Sequence, residues 1–493
     1  WQMSESLTIA SADPNAWLDT THAWYREMNR PERWHRWRAV LDGFDTADIK
    51  KKFLPRTDVE LDADYKFRIE IAEFLGITES AIERVTAAVF TTPARIESKN
   101  KLVGDFIKDC DGAGTSLVDF CENVSRESQG MGIAFVGIDR EISDIVDPPT
   151  AAHEAMTQNL RCYATLYRAE EVLNWSLDER GNLESVVIGR IIERQPTITD
   201  DVKRYAERRV ITKTTLAIWI KEVDENGEPV GKDPKWMLAV AVPHNVGVVP
   251  LVPVYGIFIG TMRGSSVHKG TMKADIARLN EETWSALDRY RHANQLLVLQ
   301  SDRDLKEMHK GPIFRVFKDE DIKYVSPTSV AFDAQEKAIA RLKQDAITQS
   351  GSNPAATSDA PGSTTGESGI AQRVRFTHTE QRVIKRHARS ISLAIERILS
   401  IVEKWITANV EPGSSSVSFF TSFDAMDPSD RSNTYLKLQY AIGSEAWHRH
   451  QLKKMAIETS PDATEEERAT MQKEIDEQSI PDQPDPQTQG FGN

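Results

Sequence analysis

Residues able to do chemistry are spread thinly along this chain of 493 residues. His448 and His450 flank Arg449, and a histidine pair without thiol or carboxylate neighbours reads as surface more readily than as a metal site. His378 and His387 lie nine positions apart, which on a 3.6-residue helix puts them on opposite faces, so they cannot share a ligand. Gly362 to Gly369 (GSTTGESG) has the glycines of a phosphate cradle but no lysine, and it does not run from a strand into a helix. The HExxH, paired CxxC, GxSxG and GxxxxGK patterns are all missing. No nucleophile is nominated together with a base. The expectation is a protein that is not an enzyme, with no catalytic residues, no metal and no cofactor.

Charge narrows the classes further. A formal net charge of -14 argues against a protein that clings to nucleic acid through a general basic surface. The charge is unevenly placed: Glu458 to Asp485 holds ten acidic residues against Arg468 and Lys473, whereas Arg373 to Arg389 is strongly basic. Cys110, Cys121 and Cys162 are odd in number and lack ligand spacing, so they read as reduced thiols in a cytoplasmic setting. The longest apolar run, Gly247 to Gly260, has fourteen residues and is interrupted by Pro250 and Pro253, too short for a membrane span. Nothing at the start of the chain resembles a secretion signal.

The elements that must position these residues can be read from periodicity. Asp13 to Gly43, Asp64 to Phe90 and Leu102 to Gly130 look helical, with Trp17, Trp24, Trp34 and Trp37 as apolar anchors in the first. From Gly132 the texture changes to strands: GIAFVGID, RCYATLYRA, ESVVIGRII, RRVITKTTLAIWIKE and KWMLAVAV. Turn signals stand at Arg180-Gly181-Asn182 and at Asp224 to Gly227. Pro243 to Pro253 should end this antiparallel region, because prolines remove ladder donors. A helical stripe then returns at Met272, Ile276, Leu279, Thr283, Leu287, Tyr290, Asn294 and Leu297. PIFRVF, DIKYV and SVAF form a compact strand-rich insert within Gly311 to Phe332. A short helix, Ala334 to Gln349, and a long one, Gln372 to Ala408, follow it. In the latter Ile384, Ala388, Ile391, Ile395, Ile398, Val402 and Trp405 alternate steps of four and three, a seam that suits either neighbouring helices or the core of one subunit. The fold class expected is α+β, mainly helical.

Between those last two helices lies Ser350 to Ile370, SGSNPAATSDAPGSTTGESGI, about twenty residues of almost pure Gly, Ser, Thr, Ala and Pro. A segment of that length and composition between two helices is a functional loop or a linker.

This order of segments resembles the portal proteins of tailed double-stranded-DNA bacteriophages, over nearly the whole chain. The resemblance is carried best by VPHNVGVVPLVPV (Val242 to Val254), ARLNEETWSALDRYRHANQLLVL (Ala277 to Leu299) and GESGIAQRVRF (Gly366 to Phe376). It implies a wing over residues 1–260, a first stem helix over 261–300, a clip over 301–333 and a second stem helix over 334–349. It further implies a tunnel loop over 350–369, a long wing helix with a following strand over 370–443, and a short crown with acidic tail over 444–493. The implied function is a ring, twelve subunits in the virion, at one capsid vertex, a channel for genome packaging and ejection. The implied partners are double-stranded DNA, the large terminase subunit, a head-to-tail connector and the major capsid protein, with no membrane. On this reading Lys337, Arg341, Lys343, Asn353, Thr357, Ser363, Thr364 and Thr365 would face the DNA channel. Lys318, Asp319, Glu320, Asp321 and Lys323 would form the partner-binding surface of the clip, in a turn between two strands. An acidic chain with only isolated cations suits a channel that must let DNA slide, because each neutralised phosphate adds affinity. A helical adaptor without a channel and a nucleic-acid-processing enzyme are the alternatives.

Overall fold

The computed structural model describes residues 14–140, 161–292, 329–350 and 380–406 apart from a few isolated positions, together with short strands at 296–300, 309–310, 313–314, 321–325 and 415–418 and parts of 449–477. The class is mixed α-helix and antiparallel sheet, mainly helical, as the periodicity indicates.

The helices of the first half are shorter than their patterns suggest. Asp13 to Gly43 breaks into α1 (Pro14–Trp17), α2 (Ala23–Met28) and α3 (Arg36–Leu41), with a kinked turn at Pro31–His35. After α4 (Ala47–Phe53), the next pattern splits into α5 (Asp62–Glu70) and α6 (Ile77–Phe90), and the third into α7 (Lys101–Lys108) and α8 (Leu117–Met131). The breaks fall where glycine and aspartate take over: Gly76 precedes α6, and in the α7–α8 loop the Asp109 and Asp111 carboxylates accept backbone N–H groups instead. Trp24, Trp34 and Trp37 are buried as expected, and Trp17 packs half-buried against a smaller cluster.

Strand β1 (Arg95–Ser98) pairs with the distant β16 (Ser415–Ser418). Strands β2 (Ile133–Arg140), β3 (Cys162–Tyr167) and β9 (Leu251–Tyr255) form one sheet in the order β3-β2-β9. The prolines therefore do not end the sheet region. Pro253 sits inside β9 opposite Phe135, tolerated because β9 is an edge strand. The second sheet is a five-stranded meander, β4 (Val172–Leu177), β5 (Leu183–Arg194), β6 (Lys203–Thr212), β7 (Thr215–Val223) and β8 (Met237–Pro243). RRVITKTTLAIWIKE, read as one strand, is thus two, folded back at Lys213-Thr214, and β4 was not anticipated.

The pleat of β2 explains the core. Ile133 and Phe135 face a cluster with the N-terminal tryptophans, whereas Ala134, Val136 and Ile138 face a second cluster with α7 and α8. In β9 Leu251 joins the first cluster, and Val252 and Val254 join the second. A two-stranded hairpin, β10 (Ile257–Gly260) and β11 (Arg263–Ser265), returns the chain past the end of α8. There Gly132 adopts φ +93°, and a Cβ on Gly264 would stand 2.1 Å from the Gly132 carbonyl oxygen, so backbones cross without room for side chains.

Candidate functional site

Two antiparallel helices, α9 (Lys269–His292) and α10 (Ser329–Gln349), form a hairpin rooted in this body. Its root is polar and buried. Asp275 of α9 accepts hydrogen bonds from the Thr78 N–H (2.8 Å), the Thr78 hydroxyl (2.7 Å) and the Ile77 N–H (3.3 Å). Gly76 supplies no side-chain cap to α6, so Asp275 caps that helix from outside, where the N-terminal dipole favours an anion. Burial raises the Asp275 pKa, and the Thr78 bonds and Arg278 oppose that shift. One and a half turns further along α9, the fully buried Arg68 of α5 forms a bidentate pair with Glu60 (2.8 and 3.1 Å). It also donates to the Pro55 carbonyl (2.7 Å) and the Thr283 hydroxyl (3.4 Å), and its guanidinium lies 4.3 Å from the Trp284 ring.

The predicted stripe on α9 is buried from Met272 through Leu287, but Tyr290 is 66% exposed and the helix stops at His292. The first stem helix does not reach residue 300. Leu296–Gln300 is a strand, β12, antiparallel to β15 (Asp321–Val325), with Leu296 opposite Val325 and Gln300 opposite Asp321. A run of Leu, Val and Leu suits either element; the local sequence is ambiguous and the partner strand decides. Strands β13 (His309–Lys310) and β14 (Ile313–Phe314) pair between them. SVAF, expected as a strand, opens α10 instead, which starts at Ser329 rather than Ala334. The pairing also revises the clip: Asp321 and Lys323 stand within β15, opposite Gln300 and Val298, rather than in a turn. Lys318, Asp319 and Glu320 lie outside the described residues.

Along the hairpin, Gln335 donates to Asp288 (2.7 Å) and Arg289 pairs with Glu336 (2.8 Å). At the root the start of α9 touches the end of α10, since a Cβ on Gly270 would meet the Gln349 side chain at 2.0 Å. Of the 21 residues of α10, only Ala346 is buried among those whose burial is described. Lys337, Arg341 and Lys343 are all exposed, but they do not form one face. Lys337 and Arg341 are four apart and nearly superposed down the helix, whereas Lys343 points about 200° away from Arg341. Lys343 instead acts on Glu282 of α9, whose pKa burial raises and Arg278 and Lys343 counter. Asn353, Thr357, Ser363, Thr364 and Thr365 lie outside the described residues.

Beyond them comes α11 (Glu380–Ile406), whose seven seam residues from Ile384 to Trp405 are all buried. They pack on β2, β9, α7 and α8, so the seam belongs to the core of this subunit and is not left over for a neighbour. His387 is part of that contact. Its Nε2 lies 2.8 Å from the Ser125 hydroxyl; the Gln129 amide nitrogen donates to Ser125 (3.2 Å) and Thr86 (2.9 Å), and its oxygen lies 3.2 Å from His268 Nε2. Burial is the main cause that pushes the pKa of His387 down to about 3 and that of His268 down to about 4. Both rings are held neutral, and this network ties α6, α8, the lead into α9, and α11 into one block. Sequence inspection missed Arg68, Asp275 and this network, because each partner lies more than a hundred residues away or, for Glu60, in a neighbouring loop.

The three cysteines are buried thiols; burial pushes Cys110 and Cys162 up to about 12. Among the described residues no group of three or more His, Cys, Asp or Glu side chains is placed to hold a metal, and no helix is long and apolar enough to cross a membrane.

No family model and no curated protein matches the chain. Among solved structures it is similar to a chain of the virion of a native gene transfer agent (GTA) particle, with a TM-score of 0.40 and 11% identity, covering 83% of this chain and 96% of that one. It is also similar to chains of the neck of an empty GTA particle computed with C6 symmetry (TM-score 0.38, 10% identity) and of a native one computed with C12 symmetry (0.38, 11%). In each of these two cases 74% of this chain and 87% of the other is covered. At TM-scores this low the likenesses carry no argument about what this chain does.

Proposed function

We propose that the chain is a subunit of a phage portal, a non-catalytic ring at one capsid vertex through which double-stranded DNA is packaged and ejected. The observation that carries this reading is the α9–α10 hairpin: rooted by Asp275 and Arg68, ending in the β12–β15 pair, and leaving nearly all of α10 unburied by its own chain. A helix of 21 residues spans about 32 Å, and a helix that long with half-buried Ala338, Ile339, Leu342 and Ile347 needs neighbours. Identical hairpins packed head to tail around a closed ring supply them. The hairpin would be the stem, with the strand pairs at its far end as the clip that meets terminase and then the connector. Residues 350–369 would be the tunnel loop, and Lys337 and Arg341 the cations closest to passing DNA. Lys343 is withdrawn from that role by its position beside Glu282.

The test is the mass and the negative-stain image of the purified assembly. Closed rings with a central hole, twelve subunits in mass, are expected. A stable monomer at micromolar concentration overturns the reading.

A further inference from the structure

The most strongly basic feature of this acidic molecule is a groove of about 1220 Å³ between the outer face of α11, the edge strand β9 with the β10–β11 hairpin, and the β4–β5 turn. Six cationic side chains line it against Asp178 alone. Four of them, Arg386, Arg389, Arg397 and Lys404, recur on one stripe of α11 at steps that keep them aligned, and none has an ion-pair partner among the described residues. Between them the walls are apolar: Leu393 is 44% exposed and Phe258 63% exposed. Arginines around exposed apolar side chains suit an acidic amphipathic peptide. A phosphate backbone would use the cations and gain nothing from Leu393 and Phe258.

The chain itself carries such a peptide. The helix α12 (Glu465–Glu477, EEERATMQKEIDE) has six carboxylates against Arg468 and Lys473. Met471 and Ile475 are half-buried four residues apart, with Glu467 and Glu474 beside them. In its own subunit α12 is held by Lys453 and Arg449 at Asp476, and no other named helix or strand packs extensively against it. None of residues 449–477 lines the groove of the same chain. The lengths also agree: thirteen residues of helix span about 20 Å, and the stripe from Arg386 to Lys404 about 27 Å.

We infer that this groove receives the acidic helix α12 of an adjacent copy of the chain, Met471 and Ile475 against Leu393 and Phe258, and the carboxylates against the α11 cations. This rests on the ring reading for its geometry and adds to it a specific joint between neighbours. It gives a use to the acidic tail and the basic helix that no part of the channel requires.

The test uses the full chain carrying Leu393→Cys together with Met471→Cys, the native cysteines being buried. Mild oxidation should give a ladder of covalent multimers on a denaturing, non-reducing gel. Arg389→Glu with Arg397→Glu in that background should abolish the ladder, and adding Glu467→Arg with Glu474→Arg should restore it; restoration also shows that the reversed chains fold. No cross-link, or only an internally bridged monomer, overturns the inference. So does a duplex DNA oligonucleotide that blocks the cross-link and loses its binding in the Arg389→Glu, Arg397→Glu variant, since the groove then serves nucleic acid. Negative-stain images keep the two readings apart. Closed rings without a ladder sink the joint and leave the ring standing, whereas a ladder from open chains sinks the ring and leaves the joint.

Discussion

Replacing Arg68 by Ala would test whether the hairpin root is as tightly specified as its contacts suggest. Both side chains of the Arg68–Glu60 pair are sealed from solvent, at 0% and 1% exposure. Truncating the arginine leaves the Glu60 carboxylate buried without its bidentate partner and orphans the Pro55 carbonyl. Breaking one side of a buried pair costs about 3–5 kcal/mol, which is roughly two to four powers of ten in an opening equilibrium. A chain of this size does not unfold in one step, so the readout should be local: native-state hydrogen exchange of the α5 amides, Asp62 to Glu70. Their protection should fall by about two to four orders of magnitude. The double variant Arg68→Met, Glu60→Leu should recover most of it, because an apolar pair of similar volume avoids the desolvation of both charges. A loss under tenfold in Arg68→Ala, or a double variant no better than the single, would refute the claim that this pair anchors the root.

The remaining expectations are briefer. His387 and His268 are neutral in the fold with pKa values depressed to about 3 and about 4, so the unfolded chain binds more protons below about pH 6.5. Stability contributed by their neutrality is complete above that pH and is lost as pH falls, at up to about 1.4 kcal/mol per unit for each ring. Thermal melts from pH 7 to pH 4.5 should show this slope and His387→Gln should flatten it; an unchanged slope removes His387 from the account. Deleting residues 353–362 should leave ring assembly intact at small entropic cost yet reduce DNA packaging, and normal filling would make that segment a passive linker. Reversing Asp319, Glu320 and Asp321 to Lys should impair terminase docking or connector attachment while rings still form. If rings fail instead, those residues belong to the subunit interface.

What could be read in the sequence was whatever repeats locally. The α11 seam, the α9 stripe to Leu287, the tryptophan anchors and the turns at Gly181 and Gly227 are each set by near neighbours, and each is found in place. Element ends were less legible. Residues 296–300 become a strand because residues 321–325 lie beside them, and Pro253 is accepted in β9 because nothing pairs on its far side. The direction of the α11 seam was open in the sequence, since a 3.5-residue repeat is the same whether it meets a neighbour or β2. Of the proposed channel cations, spacing alone separates Lys343 from Lys337 and Arg341; its position beside Glu282 needed the structure.

The two-faced strand β2 also has a consequence in time. Its second face, with Ala134, Val136 and Ile138, is closed by α11, and roughly 240 residues of chain separate the two. At synthesis rates of about 5–20 residues per second, that face waits on the order of ten seconds or more on the ribosome before its cover exists. The five-stranded meander, paired between sequence neighbours, is complete long before then. Nascent chains stopped ahead of residue 380 would carry a formed sheet with an uncovered oily side. Host chaperones would therefore be needed most during that interval, and premature termination there would yield aggregates in place of shorter soluble fragments.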